Sequence, residues 1–170
     1  MYLHPALLAA PSFLPVPGEC RWADRPVPPD GLAALTDAVL AQPHWSAAVP
    51  QQPAPYWTVR LLAAAAVELW LSGWAPGAGQ HPHSHDLPST YTVAAGALTD
   101  ETRGYAMEVP AGATVTTAAG QVHALRNPGA VPALALHAYA RRPEPRVLPH
   151  QLVPRRTLPA VAALIGGDAV

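Results

Sequence analysis

The 170-residue chain carries a formal net charge of -1, which leaves no electrostatic footprint for nucleic acid or an anionic membrane surface. Half of its residues are hydrophobic and only 12% are charged, a balance that excludes a disordered chain. The 22 prolines exclude a helical bundle and favour many short elements joined by turns, an all-β architecture.

The length suits one domain over residues 1–170, with a barrel core over about 56–140, an N-terminal arm and helix over 1–55, and a C-terminal tail over 141–170. Met1 to Leu14 is apolar but lacks a basic n-region and is broken by Pro5 and Pro11, so it does not read as a signal peptide. The single Cys20 has no partner for an internal disulfide, which fits a reducing compartment, and a cytoplasmic protein is the expectation. Residues 1–29 are proline-rich and read as an extended arm lying over the domain. Asp30 is expected to cap a helix from Gly31 to Ala41, with Leu32, Leu35, Val39 and Leu40 as its apolar face and Pro43 as its stop. A second proline-rich link, Val49 to Pro55, leads into the main body.

Trp57 to Leu62 and Val67 to Trp74 are rich in β-branched, aromatic and leucine residues and read as two strands. The alanines from Ala63 to Ala66 are good helix formers, so one helix from Trp57 to Leu71 is a local alternative. Pro76-Gly77 and the β pattern downstream favour the strands. The longest apolar run, Leu61 to Leu71, contains Glu68 and falls well short of the roughly 20 residues that span a bilayer. Seven further short strands are expected: His81 to His85, Ser89 to Ala95, Ala97 to Arg103, Tyr105 to Val109, Ala113 to Thr117, His123 to Arg126 and Ala133 to Ala140. Gly96, Gly104, Pro110-Ala111-Gly112 and Asn127-Pro128-Gly129 punctuate them, and strands at this spacing predict a sandwich or barrel. No function is assigned to the tail from Arg141.

The stretch from Gly77 to His85 concentrates the chemistry. On a strand, His83 and His85 leave the same face. Neutral imidazole is the commonest side-chain ligand for borderline divalent metals, so the pair supplies two adjacent corners of a coordination sphere. His123, beyond several strands, is the best third ligand. The reading is a mononuclear metal centre, with iron as the expected metal. His4, His44 and His150 have no partner pattern.

The pattern Gly77-x5-His83-Ser84-His85-x3-Ser89-x6-Gly96 resembles the first motif of the cupin superfamily, with Ser89 where most cupins carry a glutamate ligand. Gly112-x5-Ala118-x-Gly120-x2-His123-x3-Asn127 resembles its second motif, with alanine replacing a proline. Both motifs in order are a far more specific signal than one His-x-His. Within that superfamily the chain is similar to the cysteine dioxygenase (thiol dioxygenase) family, bacterial type. The stretches that carry this are Trp70 to Gly77, Gly96 to Glu101 and Asn127 to Tyr139, with Arg60 standing where arginine-bearing members place a substrate-binding residue.

The resemblance implies a small cupin β-barrel, a double-stranded β-helix or jelly roll, with one or two N-terminal helices. It implies Fe(II) held by His83, His85 and His123, with His81 a spare, outer or exposed histidine. It implies a small thiol, L-cysteine first, oxidised by O2 to the sulfinic acid, in a monomer or small homo-oligomer. Arg60 would hold the substrate carboxylate, while Tyr139, oriented by His137, would donate to a bound oxygen or to that carboxylate. Ser84 replaces the family's aspartate between the first two histidines, and Ala135 replaces the serine of its Ser-His-Tyr series. Two other readings are open: a cupin using Ni, Mn or Zn for isomerisation or hydrolysis, and a non-catalytic cupin that binds a metabolite or a partner.

Overall fold

Apolar residues alternating with polar ones between Tyr56 and Ala140 produce short strands that pair into two antiparallel sheets. The computed structural model describes residues 2–3 and 26–142. In chain order they form β1 (Tyr2–Leu3), α1 (Pro29–Leu40), a 3-10 helix (Pro43–Ala48), β2 (Tyr56–Ala63), β3 (Val67–Trp74), β4 (Ser89–Ala95), β5 (Ala97–Thr102), β6 (Tyr105–Pro110), β7 (Thr114–Thr117), β8 (His123–Arg126) and β9 (Ala133–Ala140). Cys20, the apolar start to Leu14 apart from residues 2–3, most of the arm, His4, His150 and the tail from residue 143 lie outside the described residues.

Asp30 is not the helix cap. The helix starts at Pro29, Pro28 is its N-cap, and no side chain caps it. Proline suits the first helical position because its φ is already helical and its missing N–H has no intrahelical partner to lose. Asp30 instead sits in the first turn, where its charge complements the positive end of the helix dipole. Leu32 and Val39 are fully buried, with Leu35 and Leu40 packed beside them.

Between β2 and β3 the alanines make a turn rather than a helix, closed by Ala64 N–H donating to the Val67 carbonyl at 2.9 Å. The two strands pair from Tyr56↔Trp74 to Ala63↔Glu68, with a bulge after Arg60. Cross-strand packing overrides the local preference of four alanines. Where Trp57 crosses β3, its indole occupies the space a side chain at position 73 would need; a Cβ on Gly73 would come within 2.3 Å of the ring.

The larger sheet has the order β1-β2-β3-β9-β4-β7 and the smaller β6-β5-β8. Period-two alternation gives each large-sheet strand two different jobs. On the outer face, Leu69, Leu71, Leu136 and Ala138 pack with Leu32 and Val39 of α1. On the inner face, Trp74, Tyr91, Val93 and Ala135 pack against Leu98, Val109 and Leu125 of the smaller sheet. Each fully buried leucine in these clusters stabilises the fold by about 1.5–3 kcal/mol.

Between α1 and the sheet runs a row of hydroxyls. Thr36 Oγ1 lies 2.8 Å from Thr92 Oγ1, which lies 2.8 Å from Thr114 Oγ1. Thr36 Oγ1 also donates to the Ala33 carbonyl at 2.8 Å. Thr92 therefore faces the helix while its neighbour Tyr91 faces the barrel interior.

Candidate metal centre

Residues 77–85 run antiparallel to the stretch around β8 without forming a strand. Pro82 removes one donor, and pairing is reduced to isolated bridges, Gly79↔Arg126 and His83↔His123. The expectation of a strand from His81 to His85 is corrected accordingly. The bridges still set the register, because His83 and His123 exchange both backbone hydrogen bonds at 2.9 Å. Further along, Gly120 N–H donates to the His85 carbonyl at 2.8 Å, from a turn in which Gly120 has φ of +72°.

This pairing brings the three motif histidines together. One donor nitrogen from each of His83, His85 and His123 lies within 4.8 Å of the other two. Ring centroids are 4.7 Å apart for His83 and His123, and 5.1 Å apart for His83 and His85. His83 Nδ1 lies 2.9 Å from the His81 carbonyl, which only accepts, so Nδ1 carries the proton and Nε2 is left to ligate. The exposed His81 thus contributes its backbone, and its ring is outside the cluster.

His123 is 3% exposed, and neither of its ring nitrogens has a hydrogen-bond partner. Buried polar atoms are nearly always satisfied, so an Nε2 with no protein group to meet asks for something the protein alone does not give. A metal at Nε2 answers that need. Burial, with the His83 and His123 rings beside it, lowers the His85 pKa to about 4, so it is neutral and fit to ligate near pH 7. No carboxylate joins the group among the described residues.

Behind His123 stands a residue that sequence reading passed over. Asp100 Oδ2 lies 3.6 Å from His123 Nδ1, accepts a hydrogen bond from Tyr91 at 2.8 Å, and Oδ1 accepts one from Thr102 at 3.2 Å. Burial pushes the Asp100 carboxyl up, but the His123 ring and the two hydroxyls together pull it below the usual carboxylate range. A signal for it was present: Leu98, Asp100 and Thr102 alternate onto one face of β5.

The interior wall is continuous across three strands. Trp70, His137 and Tyr91 are direct cross-strand partners, with Arg60 in the same row on β2, and Glu68, Tyr139 and Ser89 form the next row. His137 stacks on Tyr91 at 5.4 Å and on Tyr139 at 5.8 Å. Burial and the cluster histidines lower its pKa to about 3, so it is held neutral, and its Nε2 has no hydrogen-bond partner. Tyr139 packs on His85 at 4.9 Å, and burial pushes its hydroxyl pKa upward. Ala135 is on the same face and fully buried.

An open cleft of about 390 Å³ reaches this wall, lined by His85, Tyr139, Glu68, Asp86 and Arg141 among others. Arg60 stands one position further along the wall. Its guanidinium is 3.8 Å from Glu68 and lies over the Tyr2 and Trp70 rings. Arg141, which sequence reading left without a role, is 3.2 Å from the same Glu68 oxygen. Nothing in its local sequence marks it, because its place depends on where β9 ends.

Residues 70–139 match the family model described as a cupin domain. The fold is a cupin. TT1209 from Thermus thermophilus superposes with a TM-score of 0.53 at 23% identity, over 58% of this chain and 95% of that one. An uncharacterized conserved protein with a double-stranded beta-helix domain from Klebsiella pneumoniae gives a TM-score of 0.52 at 20% identity, over 58% and 87% of the two chains. Both likenesses concern the fold. No curated protein matches the chain in sequence. Near the cluster, Ser89 is buried and in register with Tyr139. Among the described residues no helix is long and apolar enough to cross a membrane.

Proposed function

We propose that this cupin is a non-haem iron thiol dioxygenase that converts a small carboxylate-bearing thiol, with L-cysteine the first choice, to its sulfinic acid. The observation that carries the reading is the convergence of three imidazoles with no carboxylate ligand among the described residues. Three neutral ligands leave a divalent ion its full charge, which favours binding of a thiol as the thiolate. The motif resemblance then narrows the chemistry to sulfur oxidation. The balance is simple: one thiol and one O2 give one sulfinic acid, with both oxygen atoms on sulfur and no external reductant.

Fe(II) held by His83, His85 and His123 supplies the redox chemistry that Zn lacks. The chain's own residues do the rest. Tyr139 is placed on the His85 ring with its proton firmly held, so its hydroxyl serves as a hydrogen-bond donor at the cleft. His137, neutral and stacked beside it, fixes the plane of the Tyr139 ring. Arg60 is the proposed partner of the substrate carboxylate, by a bidentate charge-assisted pair. Arg141 lines the cleft itself, beside the Glu68 and Asp86 carboxylates, and shares Glu68 with Arg60.

Anaerobic reconstitution with Fe(II), followed by oxygen uptake with L-cysteine and with 3-mercaptopropionate, tests the proposal. The expected result is equimolar loss of thiol and O2 with a product carrying two added oxygen atoms. Stoichiometric iron with no uptake on either thiol would refute it. Metal analysis of the purified protein separates it from a Ni, Mn or Zn cupin.

A further inference from the structure

We propose that Asp100 is a positioning residue for the metal centre, one that faces His123 Nδ1 from 3.6 Å and supplies from behind the ring the negative charge absent from the ligand set among the described residues. The inference rests on reading the three histidines as a metal centre and adds a fourth residue to it.

A carboxylate that is only 4% exposed needs compensation, because removing a charge from water is costly. Among the described residues no Lys or Arg lies within ion-pair distance of Asp100, and its charged-group neighbour is the His123 ring. Tyr91 and Thr102 donate one hydrogen bond each, to different oxygens, which fixes the plane of the carboxylate. These contacts aim Oδ2 at His123 Nδ1, an atom with no other polar partner. The backbone explains the aim: Thr102 is the direct partner of His123 across β5 and β8, and Asp100 is the diagonal neighbour on the same face.

Such an arrangement settles which nitrogen ligates. With Nδ1 directed at the carboxylate, Nε2 is the one turned to His83 and His85. A carboxylate behind a ligating imidazole raises the basicity of the free nitrogen and fixes the ring, and its loss typically weakens metal binding by about 10–100-fold. Because Ser89 brings no charge to the ion, Asp100 offsets the divalent charge through the ring without occupying a coordination position. Positions for substrate stay open.

Zn(II) titration of the full chain against a chromophoric chelator provides the test, for the wild type and for Asp100→Asn, with circular dichroism in EDTA reporting the fold of each. The wild type is expected to bind one equivalent, and Asp100→Asn to bind about 10–100-fold more weakly while keeping the β-sheet spectrum. A folded Asp100→Asn chain that binds Zn(II) as tightly as the wild type overturns the proposal. Failure of the wild type itself to bind removes the metal centre, a distinguishable outcome that takes the Asp100 role with it. Should Asp100→Asn not fold, nitrogen-15 NMR of the Zn(II)-loaded wild type decides. His123 carrying its proton on Nδ1, in slow exchange and with the metal on Nε2, supports the role. Metal on Nδ1 ends it.

Discussion

His83 and His85 stand on a segment joined to its neighbour by isolated bridges, whereas His137 and Tyr139 stand on β9, paired along its length by β3 and β4. The first region is half-exposed and closed by turns; the second lies between the two hydrophobic cores and contributes buried residues to both. The difference divides the labour. An ion draws its ligands into place as it binds, so ligands tolerate a loosely tied segment. A hydroxyl or a ring that must meet a substrate at hydrogen-bond distance gains from a wall that does not move.

The sharpest way to break the comparison is at the ligand that belongs to both regions. His123 is buried like the wall yet ligates like the loop, and His123→Ala is expected to weaken metal binding by more than the roughly 100-fold that outer residues cause. Metal content by mass spectrometry checks this, with retention of one equivalent as the contrary result. Next in size is the wall itself. Leu136→Ala, on the outer face of β9, should destabilise the fold by about 2–5 kcal/mol in a denaturant titration while the histidine cluster keeps its metal. If stability holds and metal is lost, the wall and the ligand segment are not separable units. Tyr139→Phe should leave metal content unchanged and slow thiol oxidation by about 100-fold, the low end of proton-donor effects; unchanged turnover would remove Tyr139 from the chemistry.

pH probes both regions at once. Unfolded imidazoles titrate near 6.5, whereas His85 titrates at about 4 and His137 at about 3 in the fold. Between those values the unfolded chain binds more protons, so the metal-free fold loses stability as pH falls from 6.5 to about 3, and the depressed Asp100 carboxyl adds to the loss at the acid end. Thermal melts in EDTA across that range read the slope, and a flat midpoint would contradict it. Smallest is Pro82→Ala in the ligand segment, expected to lower stability by about 0.4–1 kcal/mol by freeing the unfolded chain.

Much of this was legible in the residues. The bounds of β4, β8 and β9 follow from runs of alternating character ended by Gly96, Asn127 and Arg141, and the three histidines follow from motif spacing. The segment around His83 was misread as a strand because side-chain alternation does not register what Pro82 does to the backbone. Asp30 is not the cap because the helix already starts one residue earlier, at Pro29, whose fixed φ suits the first helical position. Asp100 and Arg141 were missed for different reasons. Asp100 shares a face with Leu98 in an alternating strand, but its nearness to His123 comes from the tertiary pairing of β5 with β8. Arg141 matters through its distance to Glu68, a contact between β3 and the end of β9.

The threonine row between α1 and the sheet has a direction. Each hydroxyl has one proton, and that of Thr36 goes to the Ala33 carbonyl. Thr92 must therefore give its proton to Thr36, and Thr114 must give its own to Thr92. The relay is polarised from the sheet edge to the helix, and no member can reverse without breaking the rest. Replacing Thr36 by valine would turn the Thr92 proton round to Thr114, whose exposed hydroxyl can give its own proton to water, and so reverse the row on the back of the strand that presents Tyr91.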